Sequence, residues 1–583
     1  MSSKESLTTK KYRGFSVRNY LSQGVVLALF IAAVTLPLSA WAEPQRPRLI
    51  LQITVDQLRG DMPYRYYDRL GESGFRYLLK HGTVYTDAHH RHSNTETIVG
   101  HTTLATGADP AAHGMVANVW FDRETGALGY NIEDNRYPLL PTREKEEKDA
   151  EIDPTQKVAR TKGRSPAAIL ASTFSDELAV HFGGRSKIFG VSVKDRGAVS
   201  MAGHAGKAFW FSKESGDFIT STFYYKEYPA WVSAWNAGRR ADQWHNKSWK
   251  LMHEKATYRF GEMDDRPYET DLPGYGRTFP HAYGGPDNKY FYTLLTISPA
   301  GDELTLDFVR ALIENEHLGQ DEIPDYLSVS FSSTDYVGHL FGPSSLESED
   351  NLLRLDRTLA DLIRFVDEKV GLQYTLIVLS ADHGAPEAPE YMASLGMECK
   401  RIDPGTIDKE PALERLKQRF GIGKELIETY FHPYLYLKRD VIREKGLDQA
   451  EVERAVAAEL MKFDGVALAV SSSDIRSGNL PEAPIIQQIR RNHHPKRSGD
   501  VYVVQEPYWH LYEEESIRLT AIHGSPWRYD TYVPVIFAGA GVSPRSVSRR
   551  VHPVDIAPTL AVLLGVKQPS GSVGEPLREI LEK

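Results

Sequence analysis

Three stretches of the chain decide its fold: RLILQITVD at residues 48–56, YLSVSFSSTD at residues 326–335 and YTLIVLSADHG at residues 374–384. Each contains an apolar run rich in β-formers, which is typical of a strand buried on both faces. Each run leads into an aspartate. Helical patterns, such as the one at residues 350–370, separate the runs. This alternation predicts an α/β fold on a largely parallel sheet with helices on both sides.

Two more strands are predicted, at residues 188–193 (IFGVSV) and 533–538 (VPVIFA). Polar residues follow most of the predicted strands, as Lys194 follows the first of these two. In open α/β sheets, ligands bind at the carboxyl edge of the strands. We therefore expect the chemistry to lie along one edge, in side chains as distant in sequence as Asp56 and His523.

The composition is that of a globular protein of 583 residues, 41% hydrophobic and 25% charged, with a formal net charge of −9. Such a composition excludes a disordered chain. The single cysteine, Cys399, excludes a scaffold held by internal disulfides. The acidic balance argues against nucleic acid as the main partner.

The first 42 residues have the pattern of a signal peptide. A basic leader precedes an apolar run at residues 24–38, and Ala40-Trp41-Ala42 places small residues at a cleavage site. The alternative, a membrane anchor, needs about 20 apolar residues, and this run has about 15. We expect cleavage after Ala42 and a periplasmic or secreted protein without a stable membrane anchor.

The remaining chain is interpreted as a catalytic α/β core with insertions. The core is predicted to span residues 43–385 and to resume at residues 511–583. Residues 119–184 and 210–298, rich in Tyr, Trp, Gly and Pro, are interpreted as insertions that cap the active-site edge. Residues 386–510 are predicted to form a smaller α/β subdomain, because a helical pattern and two apolar runs recur there.

Side chains that can bind a metal occur at four places in the chain. The candidate ligands are Asp56, Asp335, His339, Asp382, His383 and His523. Carboxylate and imidazole donors suit Zn²⁺ without cysteine. Asp335 and His339 are four residues apart and share a face if a helical turn follows the strand. A single aspartate at a strand end is more often a helix cap, but four such places together favour a metal site.

A candidate nucleophile lies in NTETIVGHT, residues 94–102. Thr97 can begin a helix, where backbone N–H groups favour an anion. A metal bound to its hydroxyl would lower the pKa of that oxygen and make it a nucleophile. The alternative is a threonine that only caps the helix.

Seven motifs then occur in the order and spacing of a known family. They are VDQLRGD (55–61), TETIVGHTTLATG (95–107), HGMVAN (113–118), VKDRGA (193–198), SSTDYVGH (332–339), SADHG (380–384) and IHGS (522–525). In these motifs the chain resembles the alkaline phosphatase superfamily, and within it the PafA-type phosphomonoesterases with a threonine nucleophile. The resemblance covers essentially the whole chain after residue 42.

The resemblance implies a three-layer α/β/α sandwich that binds two zinc ions. One zinc would be bound by Asp335, His339 and His523. The other would be bound by Asp56, Asp382, His383 and the hydroxyl of Thr97. Two metals about 3.5–4 Å apart can clamp the attacking and leaving oxygens of a phosphoryl transfer.

The resemblance also implies phosphate-binding roles for Asn118, Lys194 and Arg196. Arginine offers a planar fork of donors and lysine a point charge. If their segment is extended, residues 194 and 196 point the same way and can reach one phosphate. The departures from the family pattern are modest: Val119 follows Asn118, and Glu96 directly precedes Thr97, where it adds a charge beside the nucleophile.

Other clusters are interpreted as structural. His89, His90 and His92 are too close in sequence to face one ion together, and we expect them at the surface or in the cap. His101 and His113 are expected to make supporting hydrogen bonds. The tryptophans expected to pack in the core of the cap, rather than line a substrate entrance, are Trp231, Trp235, Trp244 and Trp249.

These observations predict an exported, metal-dependent alkaline phosphatase that hydrolyses small phosphate monoesters through a phosphothreonine intermediate. The alternative on the same fold is a phosphodiesterase or nucleotide pyrophosphatase, which would lack the cationic pair Lys194 and Arg196. A sulfatase would need a C/S-x-P-x-R motif at the position of Thr97. An inactive phosphate- or metal-binding protein would have lost a ligand or the nucleophile. The sequence identifies neither the physiological ester nor the oligomeric state.

Overall fold

The computed structural model describes residues 46–142, 151–512 and 517–582, so the predicted signal peptide lies outside the described residues. A nine-stranded sheet forms its centre. The strands are β1 (Leu49–Val55), β2 (Thr83–Tyr85), β3 (Ile188–Ser192), β4 (Lys207–Phe211), β5 (Phe218–Ile219), β6 (Asp325–Phe331), β7 (Thr375–Ser380), β8 (Val535–Gly539) and β9 (Arg545–Val547). Their spatial order is β9-β2-β8-β7-β1-β6-β3-β4-β5.

Most strands of this sheet are parallel, as the sequence predicts. β1 pairs in parallel with both β6 and β7, and β3 pairs in parallel with β6 and β4. β8 runs antiparallel to both of its neighbours, and β5 runs antiparallel to β4. The carboxyl ends of β1, β6, β7 and β3 therefore meet at one edge, which is where the candidate site residues follow in sequence.

Both faces of the central strands are covered, which explains their continuous apolar sequence. Along β1, Leu49, Leu51 and Ile53 pack into one hydrophobic cluster, while Ile50 packs into another on the opposite face. The whole of β1 is buried. The two clusters are the interfaces between the sheet and two layers of helices, so the fold is a three-layer α/β/α sandwich.

Helices supply the two outer layers. The helices with residues in the first cluster include Phe75–His81, Pro299–Glu316, Ser333–Phe341 and Leu346–Lys369; those with residues in the second include Thr97–Thr106, Phe174–His181, Asp195–Ala202 and Ile556–Leu564. Three of them carry site residues and are named α1 (Thr97–Thr106), α2 (Asp195–Ala202) and α3 (Ser333–Phe341). In the part of the chain that the structure describes, no helix is long and apolar enough to cross a bilayer.

A second sheet lies within the range predicted for the smaller subdomain. Its four antiparallel strands, in spatial order, are Ile427–Phe431, Tyr434–Leu437, Val501–Gln505 and Val466–Ser471. The helix Gln449–Leu460 packs against it through Val452 and Val456, in a hydrophobic cluster separate from those of the main sheet. The helix and the two strands predicted here are confirmed.

The remaining elements are short and lie mostly in the predicted insertions and in the range predicted for the smaller subdomain. Small antiparallel pairs join Val119–Asp122 to Ala127–Tyr130 and Ser248–Trp249 to His281–Ala282, and a parallel pair joins Arg401–Ile402 to His510–Leu511. The short helices are Met62–Arg65, Pro110–His113, Pro154–Lys157, Ala230–Ala237, Phe291–Thr296, Pro389–Ser394, Pro411–Arg419, Arg439–Glu444, Ser472–Ser477, Pro484–Asn492, Arg528–Thr531 and Arg578–Leu581. Trp231 and Trp235 pack on Phe308 of the main core, which confirms their structural interpretation.

Candidate active site

Three of the candidate metal ligands meet at the carboxyl edge of β6. Asp335 and His339 lie one turn apart on α3, and His523 lies in a loop nearly two hundred residues later. The Nε2 atoms of His339 and His523 are each 3.3 Å from Asp335 Oδ1. These three side chains are close enough to bind a single ion.

The other candidate ligands follow β1 and β7. His383 Nε2 lies 3.5 Å from Asp56 Oδ1 and 3.3 Å from Asp382 Oδ2. Asp335 is also within ligating distance of Asp56 and His383, so it borders both groups of ligands. The rings of His383 and His523 stack with their centroids 3.6 Å apart. The six side chains therefore form one continuous cluster.

The cluster has the properties of a metal-binding centre. Asp56 Oδ1 and His383 Nε2 are buried without a hydrogen bond, while Asp56 Oδ2 pairs with Lys194 and Asp382 Oδ2 with His101. Burial, with the charge of Asp382, raises the pKa of Asp56 well above its usual value. Buried carboxylates in contact need a compensating cation, and carboxylate and imidazole donors suit zinc. The residues present thus fit two such ions.

Each histidine of the cluster is oriented by a backbone carbonyl. Nδ1 of His339 donates to Ala521 O at 2.7 Å, Nδ1 of His523 donates to Thr95 O at 2.7 Å, and Nδ1 of His383 donates to its neighbour's carbonyl at 3.0 Å. A carbonyl can only accept, so these contacts place the hydrogen on Nδ1 and leave Nε2 as the ligand atom.

Lys194 lies among the carboxylates of the cluster. Its side chain is fully buried, and its Nζ is 2.9 Å from Asp56 Oδ2 and also pairs with Asp335. Burial alone would lower the pKa of Lys194, but Asp335 and Asp56 raise it. Lys194 is therefore a charged ammonium that offsets part of the negative charge of the cluster.

The prediction that residues 194 and 196 lie on an extended segment is wrong. Lys194 is the N-cap of α2, and Arg196 lies in the first turn of that helix. The chain turns into the helix because β3 ends at Ser192, whose hydroxyl accepts from the backbone N–H of Lys194 at 3.0 Å. The two side chains consequently reach different parts of the site.

Arg196 points toward the candidate nucleophile and is held there by Asp153. Its NH1 lies 2.9 Å from Asp153 Oδ2, and its NH2 lies 3.5 Å from Thr97 Oγ1. Asp153 in turn accepts from the backbone N–H and the hydroxyl of Thr155. Although burial acts the other way, Arg196 keeps the pKa of Asp153 well below its usual value. Sequence reasoning missed Asp153, which lies in the first insertion.

Thr97 is the first residue of α1. This helix packs directly against the loop after β7 that carries Asp382 and His383, called the metal-binding loop below. A Cβ on Gly100 would lie 1.9 Å from the carbonyl oxygen of Asp382, so only glycine fits there. Asn118 Oδ1 accepts from the backbone N–H of Ile98 at 3.1 Å, which places its carboxamide at the amino end of the helix. Thr97, Asn118 and Asp382 are thereby brought together from three segments.

A cavity of about 50 Å³ borders Asn118, Arg196 and the ligand group of Asp335. Its polar lining includes Glu96, Asn118, Asp153, Arg196, Asp335, His339 and His523. Its apolar lining includes Ile152, Tyr336, Leu340, Tyr512, Leu519 and Ile522. The cavity is thus lined both by charged and polar side chains, three of them candidate metal ligands, and by a wall of apolar side chains.

The expectation that His89, His90 and His92 lie at the surface or in the cap is wrong, because all three are buried. His90 Nε2 lies 3.1 Å from the carbonyl oxygen of Ala381, and its Nδ1 lies 3.2 Å from His92 Nε2. Hydrogen bonds of this kind satisfy the imidazoles in the interior, behind the metal-binding loop. None of the three belongs to a metal-ligand group among the described residues.

His101 and His113 make the supporting hydrogen bonds expected of them. His101 Nε2 lies 2.9 Å from Ser330 Oγ, and its Nδ1 lies 3.0 Å from Asp382 Oδ2. His113 Nε2 lies 3.2 Å from Thr103 Oγ1. His101 therefore links α1 to a candidate ligand without being one.

Comparison with known proteins places this architecture in a family. The sequence model of the type I phosphodiesterase / nucleotide pyrophosphatase family matches residues 50–526. The chain is 34% identical over 545 residues to alkaline phosphatase PafA of Elizabethkingia meningoseptica, covering 92% of this chain and 95% of that protein. It is 35% identical over 543 residues to a Myroides odoratus protein named calcium-transporting ATPase, with coverage of 92% and 95%.

A solved structure agrees with these sequence relatives. The crystal structure of wild-type alkaline phosphatase PafA superposes with a TM-score of 0.82 at 34% identity, covering 92% of this chain and 99% of that one. The chain therefore belongs to the type I phosphodiesterase and nucleotide pyrophosphatase family, and within it to the PafA-type alkaline phosphatases.

Proposed function

We propose that this chain is an exported phosphatase that hydrolyses small phosphate monoesters at a two-zinc site, with Thr97 as the nucleophile and a phosphothreonine intermediate. One observation carries the proposal. Asp56 Oδ1 and His383 Nε2, two buried ligand atoms without hydrogen-bond partners, lie together with Asp382, against which α1 packs. The first residue of α1 is Thr97, whose Oγ1 is 3.5 Å from Arg196 NH2. The alkaline phosphatase names of the relatives support the same activity.

The two zinc ions would be held by the cluster described above. Asp335, His339 and His523 would bind one, and Asp56, Asp382, His383 and Thr97 would bind the other. Bound zinc would supply Lewis-acid stabilisation of the oxygens that gain negative charge and would lower the pKa of the nucleophile's hydroxyl.

The chain's own residues position the ester and carry the phosphoryl group. Thr97 Oγ1 forms a bond to phosphorus as the bond to the alcohol oxygen breaks, and water then cleaves the phosphothreonine to release inorganic phosphate. Arg196 and the Nδ2 group of Asn118 would donate hydrogen bonds to the non-bridging oxygens. Asp153 keeps the guanidinium of Arg196 in place for this role. The apolar wall, which includes Leu340 and Ile522, would face the alcohol.

The buried cations favour monoesters over diesters. A monoester dianion has three non-bridging oxygens with two charges, whereas a diester has two with one charge. Lys194 and Arg196 supply two positive charges at the site. One relative, from Myroides odoratus, is named an ATPase. The terminal phosphate of ATP also carries three non-bridging oxygens, so that name is compatible with the same chemistry. The second candidate, a phosphodiesterase, has the support of the family's name.

Turnover of matched substrates tests the proposal. The purified protein should hydrolyse p-nitrophenyl phosphate with a much higher kcat/KM than bis(p-nitrophenyl) phosphate. EDTA should abolish both activities, and added zinc should restore them. A higher kcat/KM for the diester would establish the phosphodiesterase instead, and activity that survives complete metal removal would contradict the zinc site.

Export is proposed from the leader alone. The basic residues, the apolar run at residues 24–38 and Ala40-Trp41-Ala42 support removal of residues 1–42. Amino-terminal sequencing of the protein recovered from the periplasm or medium should begin at Glu43. A chain that retains Met1, or that stays with the membrane fraction, would contradict this part of the proposal.

A further inference from the structure

Glu96 is a buried carboxylate directly before the proposed nucleophile, and the mechanism above gives it no role. It occupies the N-cap position of α1, yet its side chain makes no capping hydrogen bond to that helix. Its Oε2 instead accepts from the backbone N–H of Asn118 at 2.7 Å and from Asn94 Nδ2 at 2.9 Å. The carboxylate therefore binds the loop that carries Asn118.

Asn118 is held at three of its polar atoms. Glu96 accepts from its backbone N–H, Asn131 Nδ2 donates to its carbonyl oxygen at 2.7 Å, and the backbone N–H of Ile98 donates to its Oδ1 at 3.1 Å. Within the described residues, Nδ2 is the polar atom of Asn118 that forms no hydrogen bond. Asn118 lines the cavity, so this amide group is available to an anion there.

The loop is also fixed on its other side. Asn94 Nδ2, besides contacting Glu96, donates to Val116 O at 2.9 Å, and Asn492 Nδ2 donates to the same carbonyl at 3.0 Å. Val116 and Asn118 are thus both held by side-chain hydrogen bonds. Removal of Glu96 would leave a buried N–H of Asn118 without an acceptor, which costs more than the hydrogen bond itself contributes.

We propose that Glu96 is a positioning residue that acts through Asn118, fixing the Asn118 carboxamide so that Nδ2 points at a non-bridging phosphate oxygen. The inference rests on the proposed function, because it needs a phosphate bound at Asn118. A carboxylate beside a phosphate would by itself repel the substrate. The geometry assigns Glu96 a benefit that outweighs this repulsion, since its Oε2 is engaged by the loop.

Two substitutions at Glu96 separate the effect of side-chain length, on which the two hydrogen bonds depend, from the effect of its charge. Glu96→Gln keeps the length and a carbonyl oxygen that can accept both hydrogen bonds, so kcat/KM for p-nitrophenyl phosphate should stay within about threefold of wild type. Glu96→Asp keeps the charge but is one methylene shorter, and it should lose about 10- to 100-fold, the range expected for one hydrogen bond to a charged group. Inhibition by inorganic phosphate should weaken in parallel in the aspartate variant.

A double variant shows whether Glu96 acts through Asn118. Asn118→Ala alone should lower kcat/KM by about 10- to 100-fold. Adding Glu96→Asp to Asn118→Ala should lower it by no more than about threefold further, because the group being positioned is already gone. The matched control is Glu133→Ala, since Glu133 also accepts backbone N–H groups, those of Arg160 and Thr161, without contacting Asn118. It should leave kcat/KM unchanged.

The outcomes distinguish this inference from the function on which it rests. Losses that multiply in the double variant, or an aspartate variant as active as the glutamine variant, would overturn the role of Glu96 while leaving the phosphatase proposal intact. Wild-type activity of Asn118→Ala would remove Asn118 from the phosphate site and overturn the role of Glu96, but the phosphatase activity itself would stand. Absence of phosphatase activity in the wild-type protein would instead overturn the proposed function. Zinc content should be unchanged in every variant, and a loss of zinc in Glu96→Asp would show a role in the metal centre instead.

Discussion

The proposed metal-binding half and the proposed phosphate-binding half of the site both border one cavity but are held in place by different means. In the metal half, His339 and His523 are oriented by the backbone carbonyls of Ala521 and Thr95. In the phosphate half, Arg196 and Asn118 are oriented by the side chains of Asp153 and Glu96. One half depends on the fold and the other on individual residues.

This difference has a consequence for substitution. A backbone carbonyl cannot be removed by a point mutation, so the orientation of the three histidine ligands changes only when a ligand or the fold changes. Each anchor of the phosphate half can be replaced singly. We therefore expect phosphate recognition to be tunable without loss of metal, and the following experiments test that separation.

The largest effect is expected at Thr97, where the two halves meet. Thr97→Ala removes the nucleophile and should lower turnover of p-nitrophenyl phosphate by about 10⁴-fold or more. Zinc should remain bound through Asp56, Asp382 and His383. Thr97→Ser keeps a hydroxyl and should retain part of the activity. Turnover near wild type in the alanine variant would exclude Thr97 as the nucleophile.

The next largest effect should come from the metal half. His523→Ala removes one of three ligands at its site and should lower the bound zinc from two ions to about one per chain, with a loss of activity greater than about 100-fold. His92→Ala serves as the control, because His92 is buried yet outside the ligand groups. Elemental analysis measures both. Loss of zinc in His92→Ala but not in His523→Ala would reverse our assignment.

A smaller and selective effect is expected from the two buried cations. Each charge-assisted hydrogen bond contributes about 1.5–3 kcal/mol, so Lys194→Ala with Arg196→Ala should lower monoester kcat/KM by about 10²- to 10⁴-fold. Diester kcat/KM should fall far less, because a diester lacks one of the charges and oxygens.

Zinc content of that double variant provides the internal check. Lys194 also contacts Asp56 and Asp335, so its removal leaves more negative charge in the cluster and should not weaken zinc binding. Equal losses on monoester and diester, or loss of zinc, would show that the pair maintains the metal half rather than recognising phosphate.

The smallest effect is expected when Asp153, which holds Arg196, is removed and Arg196, which would contact the phosphate, is kept. Asp153→Ala frees the guanidinium of Arg196 and should lower monoester kcat/KM by about tenfold, with less effect on the diester. Asp134→Ala is a matched control, since Asp134 pairs with Arg136 in the same insertion. Similar losses in both variants would point to general destabilisation of the insertion.

The sequence predicts the sheet and the ligand cluster because both depend on local pattern. Each buried strand is a continuous apolar run, and the parallel strands β1, β6 and β7 carry their polar residues to one edge. Asp335 and His339 are found in the same way, since a spacing of four residues places them on one face of a helix. His523 has no strand before it and was found through its motif.

The remaining features depend on contacts between segments that no local pattern encodes. Asp153 binds Arg196 across 43 positions of sequence, from an insertion without periodicity. The imidazole of His90 can be buried because it forms a hydrogen bond with the carbonyl oxygen of Ala381, which is distant in sequence. The prediction of an extended conformation for residues 194–196 is wrong because α2 begins soon after the end of β3. A short polar segment such as KDR is compatible with either conformation.

The antiparallel strand β8 has a consequence for how the enzyme is made. It lies between β7 and β2. Val535 of β8 pairs with Tyr85 of β2, which precedes it by about 450 residues. Synthesis proceeds from the amino terminus, and pairings over such distances form late. The sheet therefore stays open until nearly the whole chain has emerged, and His523 also arrives last. A nascent or truncated chain ending before His523 would carry the other five candidate ligands but neither this last ligand nor β8, and so no completed active site.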